Sequence, residues 1–220
     1  MAQVNRRSVL GGIAATSALM ATGSSRSATA AQRAPKIALE TVLARAESAK
    51  RRGTKYALYA EPPSERLAAW PRGHNADCSG FVGWCFGLPR KPRQIGVGTK
   101  LGTDQIYKDA TADKALFTRI EAPEIGDIVL YPNYQIAPGV EGTPGHVALI
   151  TAVRVDGSYD TIECASTPFH KTGDAIAFDR ADTIFRGHAI ELTRIRKAYP
   201  DLPADKVRDP IFARYLGLVR

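Results

Sequence analysis

The pattern of apolar and polar positions divides the chain into a helical first half and a strand-rich second half. Between Ile37 and Arg52, residues Ile37, Thr41, Ala44 and Ser48 share one helical face. Leu39, Val42 and Leu43 lie beside it, and basic residues gather at the end, so the spacing predicts a helix over 37–52. Gly53 is placed to stop it at the C′ position. Residues 56–71 have no period and read as irregular. Phe81, Val82, Cys85 and Phe86 form an i, i+1, i+4, i+5 stripe, which predicts a short buried helix ended by Gly87 and Pro89. Residues 90–124 read as a long loop with one short helix near 104–109.

Beyond residue 125 the pattern becomes that of strands. Ile128–Tyr131, His146–Val153 and Tyr159–Ala165 are apolar runs, and Asp156-Gly157 predicts a hairpin turn between the last two. The run 184–195 reads as a further strand. Helices followed by strands, with no βαβ alternation and no Gly-rich phosphate loop, predict an α+β domain over 31–220.

With 44% hydrophobic and 24% charged residues in 220, the chain has ordinary globular composition and can bury its own core. The net charge of +8 is partly local: Arg6, Arg7 and Arg26 lie in a first stretch that holds no acid. The remaining excess suits a polyanionic neighbourhood and suits plain solubility equally well. No basic run is interleaved with aromatics, so nothing points to nucleic acid. Three cysteines make a poor disulfide framework. Cys78 and Cys85 on one helix would stand about 10 Å apart along its axis, beyond a bridge. No CxxC or HExxH occurs, so neither a metal nor a cofactor is expected.

Residues 1–30 read as an export signal. Arg6-Arg7 precede an apolar, Ala- and Gly-rich stretch, and Ala28-Thr29-Ala30 offers a cleavage site. NRRSVL is similar to a twin-arginine signal. The stretch is too short and interrupted for a stable membrane span. The mature chain is therefore expected to start near Ala31 and to work in the periplasm or outside the cell.

Cys78 lies at the start of the predicted buried helix. Unpaired backbone N–H groups and the positive helix end favour a thiolate there, the form that attacks carbonyl carbon. Asp77 or Ser79 can cap the helix. A small, inert core cysteine fits the same position. His146 opens the most apolar strand, on one face with Ala148, Ile150 and Ala152. It can accept a proton from a nearby thiol; a turn histidine after Pro144-Gly145 is the plainer reading. Cys85, Trp70 and Trp84 read as core, while His74 and His188 read as exposed in a loop and at a strand end.

Three ordered segments, GTKYALYA at 53–60, DCSGFVGWCFGLPR at 77–90, and GDIVLYP at 126–132 with GHVALITAV at 145–153, resemble the NlpC family of papain-like cell-wall cysteine peptidases. The resemblance spans roughly 50–170. It implies an α+β papain-like domain with the cysteine helix packed on a small antiparallel sheet. It implies Cys78 as nucleophile and His146 as base, with Tyr56, Asp77 and Ser79 on the substrate or oxyanion side. The implied partner is the peptide stem of peptidoglycan, cut at an amide bond involving D-glutamate. Ala60-Glu61-Pro62 stands where the family usually has a glycine pair, and residues 132–145 are longer than usual. The third catalytic position is expected at His170, reaching in from a loop, with Cys164 as its rival. Glu163 is expected on the opposite face.

Overall fold

Strands of alternating or wholly apolar residues build the centre of the molecule. The computed structural model describes residues 33–133, 145–166, 175–180, 183–201 and 208–220. The export signal and His170 lie outside the described residues. Six antiparallel strands form one sheet: β2 (Phe117–Ile120), β3 (Ile128–Tyr131), β4 (His146–Val153), β5 (Tyr159–Ala165), β6 (Ala175–Arg180) and β7 (Ile211–Tyr215). Their order is β2-β7-β3-β4-β5-β6. β3 and most of β4 are buried throughout, which is why their sequences read as continuous apolar runs rather than alternating ones. A parallel pair of two-residue strands, β1 (Ile37–Ala38) with β8 (Leu218–Val219), ties the two ends of the described chain together.

Helix α1 (Leu39–Arg51) fills most of the predicted 37–52 span, the first two residues having gone to β1. Gly53 follows with φ +65°, the left-handed conformation expected of a helix stop. Helix α2 (Cys78–Cys85) is buried at every residue. α1 and α2 pack on the face of the sheet that carries Leu130, Val147, Leu149 and Cys164. Trp70 and Trp84 meet edge to face there, both fully buried, as does Cys85.

Helix α3 (Thr103–Lys108) continues into one wider turn at 109–113. The buried carboxylate of Asp109 accepts from the backbone N–H groups of Ala115, Leu116 and Phe117 at 2.7–2.9 Å. One side chain thus satisfies three orphan donors and turns the chain into β2, inside the stretch that reads as loop.

The run 184–195 is a helix, α4 (Thr183–Ala198), and not a strand. Among its described side chains Ile184, His188 and Ile195 are buried; their spacing of four and seven is helical. Ile184 and Ile195 cover Val129, Ala148 and Ile150 on the sheet's second face. His188 is accordingly buried, with Nε2 against the carbonyl of Arg208 at 3.0 Å, rather than exposed at a strand end.

Candidate active site

Asp77 ends an extended segment and caps α2: its Oδ1 accepts the Gly80 N–H at 2.6 Å. Arg90 donates to both carboxylate oxygens, at 3.0 and 2.5 Å, and also to Ser79 Oγ. Ser79 Oγ donates to Asp77 at 3.1 Å. Gly80 makes this possible, because a Cβ there would strike Asp77 Oδ1 at 2.9 Å and crowd Arg90. Asp77 and Ser79 line the cleft, but their polar atoms are engaged in this cap. Arg90 was not among the expected site residues. The signal for it is the LPR at the end of the quoted helix segment, where a basic group follows the turn after α2.

Cys78 is the first residue of α2; it is buried, 6% exposed, and lines the cleft at the edge of the core. Cys85 and Cys164 are fully buried, and all three thiols are free. His146, the first residue of β4, lies beside Cys78, which helps hold its proton. On the other side its Nε2 meets Glu163 Oε2 at 2.5 Å. With Nε2 taken by the carboxylate, Nδ1 is the nitrogen left for the thiol.

Glu163 is thus the described side chain that meets His146 where Cys164 had been expected as rival to His170, and His170 lies outside the described residues. The pairing Leu149↔Ile162 puts Glu163 opposite Ala148, and directly paired residues of an antiparallel ladder share a face. Glu163 is thus on the His146 face, and the expectation that it points away is corrected. Cys164, one residue on, faces the other way, under α2, where its Sγ bonds to the Ala76 carbonyl at 3.3 Å. A carboxylate amid Ile162, Cys164 and Ala165 was the available signal; the pairing register was missing.

Burial opposes a charge on His146, but Glu163 and Cys78 outweigh it, and the imidazole is pushed up to about 10. His146 is consequently an imidazolium through neutral pH.

Tyr56 bridges Ala76 in parallel register, with Ala57 N–H donating to Ala76 O at 2.8 Å. That pairing fixes Tyr56 beside Asp77-Cys78. Burial first, then Cys78 and Asp77, hold the phenol well above its usual range, so its hydroxyl stays a neutral donor. Tyr56 and Cys78 line one cleft, whose far wall includes Thr103, Asn133 and Gly145. Asn133 Oδ1 accepts from Gly145 N–H at 2.5 Å and from Thr103 Oγ1 at 3.0 Å. This clip holds the residue immediately before His146. Sequence reasoning passed over Asn133 because its partners lie 12 and 30 residues away.

Residues 68–165 match the family model of the CHAP domain. That domain is found in NlpC/P60-like and amidase cell-wall hydrolases, has a papain-like cysteine-hydrolase fold, and implies peptidoglycan hydrolase activity, amidase or peptidase. The match begins before α2 and ends after Glu163. No curated protein matches the chain. Among the described residues no helix is long and apolar enough to cross a membrane.

Proposed function

We propose that this chain, with a CHAP match over 68–165, is an exported cysteine hydrolase that cuts an amide bond in the peptide stem of peptidoglycan. The observation that carries the reading is the line Cys78–His146–Glu163, in which a buried carboxylate orients an imidazole against a thiol at a helix N-terminus. That is the arrangement nucleophilic catalysis requires: nucleophile, proton partner and orienter in sequence.

In the proposed reaction the Cys78 thiolate attacks the amide carbonyl carbon. The oxyanion is held by the Cys78 backbone N–H with help from the Tyr56 hydroxyl. As the tetrahedral intermediate collapses, His146 gives its proton to the leaving amine and a thioester remains on Cys78. Neutral His146 then takes a proton from water, whose oxygen attacks the thioester. The acid product leaves, and the thiolate–imidazolium pair returns. Glu163 holds the ring throughout; it does not take the proton.

Residues 1–30 would direct export through the twin-arginine route and be removed near Ala31, leaving 31–220 as the working hydrolase. The substrate reading is tested by incubating the mature protein with purified peptidoglycan and identifying the fragments. Peptides cut beside D-glutamate are the expected product. Release of whole stems from the sugar chain would instead make it an amidase on the same scaffold, and intact peptidoglycan would overturn the reading.

A further inference from the structure

A four-residue turn beside the nucleophile carries a side chain that its backbone does not favour. Ala60 N–H donates to Ala57 O at 3.0 Å, closing a turn over Ala57–Ala60. Its third residue, Tyr59, has φ +62°, a conformation that glycine or asparagine adopts far more readily than a bulky residue. Of the described residues outside glycine, Lys114 alone shares this sign of φ. The turn is anchored: Ala57 N–H donates to Ala76 O, and Ala76 N–H to Lys55 O at 3.2 Å. Its position relative to Cys78, two residues past Ala76, is therefore set by backbone hydrogen bonds.

Tyr59 is 73% exposed and lines the same cleft as Cys78 and Tyr56. Beside it Leu58, half exposed, lines the cleft too. A large ring kept in solvent on an unfavoured backbone gains nothing for the fold. Residues held this way persist where the surroundings over-determine them, and they cluster at sites of function. From the strained turn, its anchoring and its exposed ring at the cleft wall, we infer that Tyr59 is a substrate-specificity residue. Its ring, with Leu58, receives the apolar face of the group flanking the scissile amide. Tyrosine suits this, since it offers a broad apolar face and loses little freedom on binding. The inference rests on the hydrolase reading for the nature of the substrate, and on the geometry alone for the contact.

The test uses Tyr59→Gly, Tyr59→Asn and Tyr59→Phe in the mature protein, with two measurements. The first is KM and kcat on solubilised peptidoglycan stems. The second is the ratio of Cys78 alkylation rates by N-phenylmaleimide and N-ethylmaleimide, mapped by mass spectrometry. Tyr59→Gly and Tyr59→Asn, both compatible with the turn, are expected to raise KM about tenfold with little change in kcat, and to lower the phenyl-to-ethyl ratio. Tyr59→Phe should keep both near wild type. Unchanged KM and unchanged ratio in variants that melt like the wild type would overturn the inference. If the wild-type protein leaves peptidoglycan intact, the hydrolase reading fails by itself, and the alkylation ratio still decides the contact.

Discussion

His146 stays charged in a buried place because Glu163 and Cys78 together outweigh burial. Its pKa is raised on folding, so the stability this pair contributes is complete below the unfolded histidine value and is lost as pH climbs through about 10. Activity that needs the imidazolium falls over the same alkaline range. Glu163→Gln removes the carboxylate and leaves burial to dominate. The alkaline limb of kcat/KM should then move to lower pH and the rate drop about a hundredfold or more; a pH–rate profile checks this. A profile unmoved by the substitution would deny Glu163 its orienting part. Gly145→Ala acts on the same histidine from the other end. A Cβ there would meet Tyr131 O, Pro132 C and Thr103 Oγ1 at 2.5–2.6 Å, so the start of β4 must shift. Activity should fall more than stability, measured by turnover against urea unfolding. Cys78 and His146 were readable as residues, because a helix start and a strand start can be seen in one sequence. Glu163 was not, because a side chain's face depends on which residue lies across the ladder, and one strand does not contain that information.

At the scale of the element, α2 shows how the sequence seats Cys78 at a helix start. Its apolar stripe announced the helix, and the Asp77 cap followed from residue type. Arg90 did not follow, although its side chain is 10% exposed and sits on a carboxylate 5% exposed. A buried pair like this is costly to break from one side, since the partner is left charged and unpaired. Asp77→Ala removes a helix cap and strands Arg90 together, and should destabilise by about 3 kcal/mol or more; Asp77→Asn, which can still cap, should lose less. Chemical denaturation distinguishes the two. α4 was misread because its apolar residues come in short adjacent groups, Ile184-Phe185 and Ala189-Ile190, broken by polar ones. Short windows of 184–195 look like strand, and the helical face emerges only when 184, 188 and 195 are seen packed together.

The whole molecule extends well past the matched segment. β7, near the C-terminus, is inserted between the edge strand β2 and β3. Fully buried Asp127 accepts from Arg214 at 2.9 and 2.8 Å and from Arg220 at 2.8 Å. Tyr215 Oη donates to Pro35 O at 2.7 Å, closing the other end. A fragment of 68–165 lacks α1 and β7 and leaves apolar faces of β3 and of α2 uncovered. It should therefore show no cooperative melting transition, whereas 31–220 should show one, as circular dichroism on heating would register. The order of helices before strands was visible along the chain and identified the fold class. The insertion of β7 between β2 and β3 was not, because strand order in a sheet is decided by contacts about 80 residues apart, such as Val129 with Phe212.

The central claim is that Cys78 is the nucleophile of a hydrolase. Its most direct measurement compares fragment release from purified peptidoglycan by mature wild-type protein and by Cys78→Ala, with folding of both verified by circular dichroism. The account predicts release by the wild type and none above background by the folded variant, because nucleophile and proton partner act as a unit. Undiminished release by folded Cys78→Ala would contradict it.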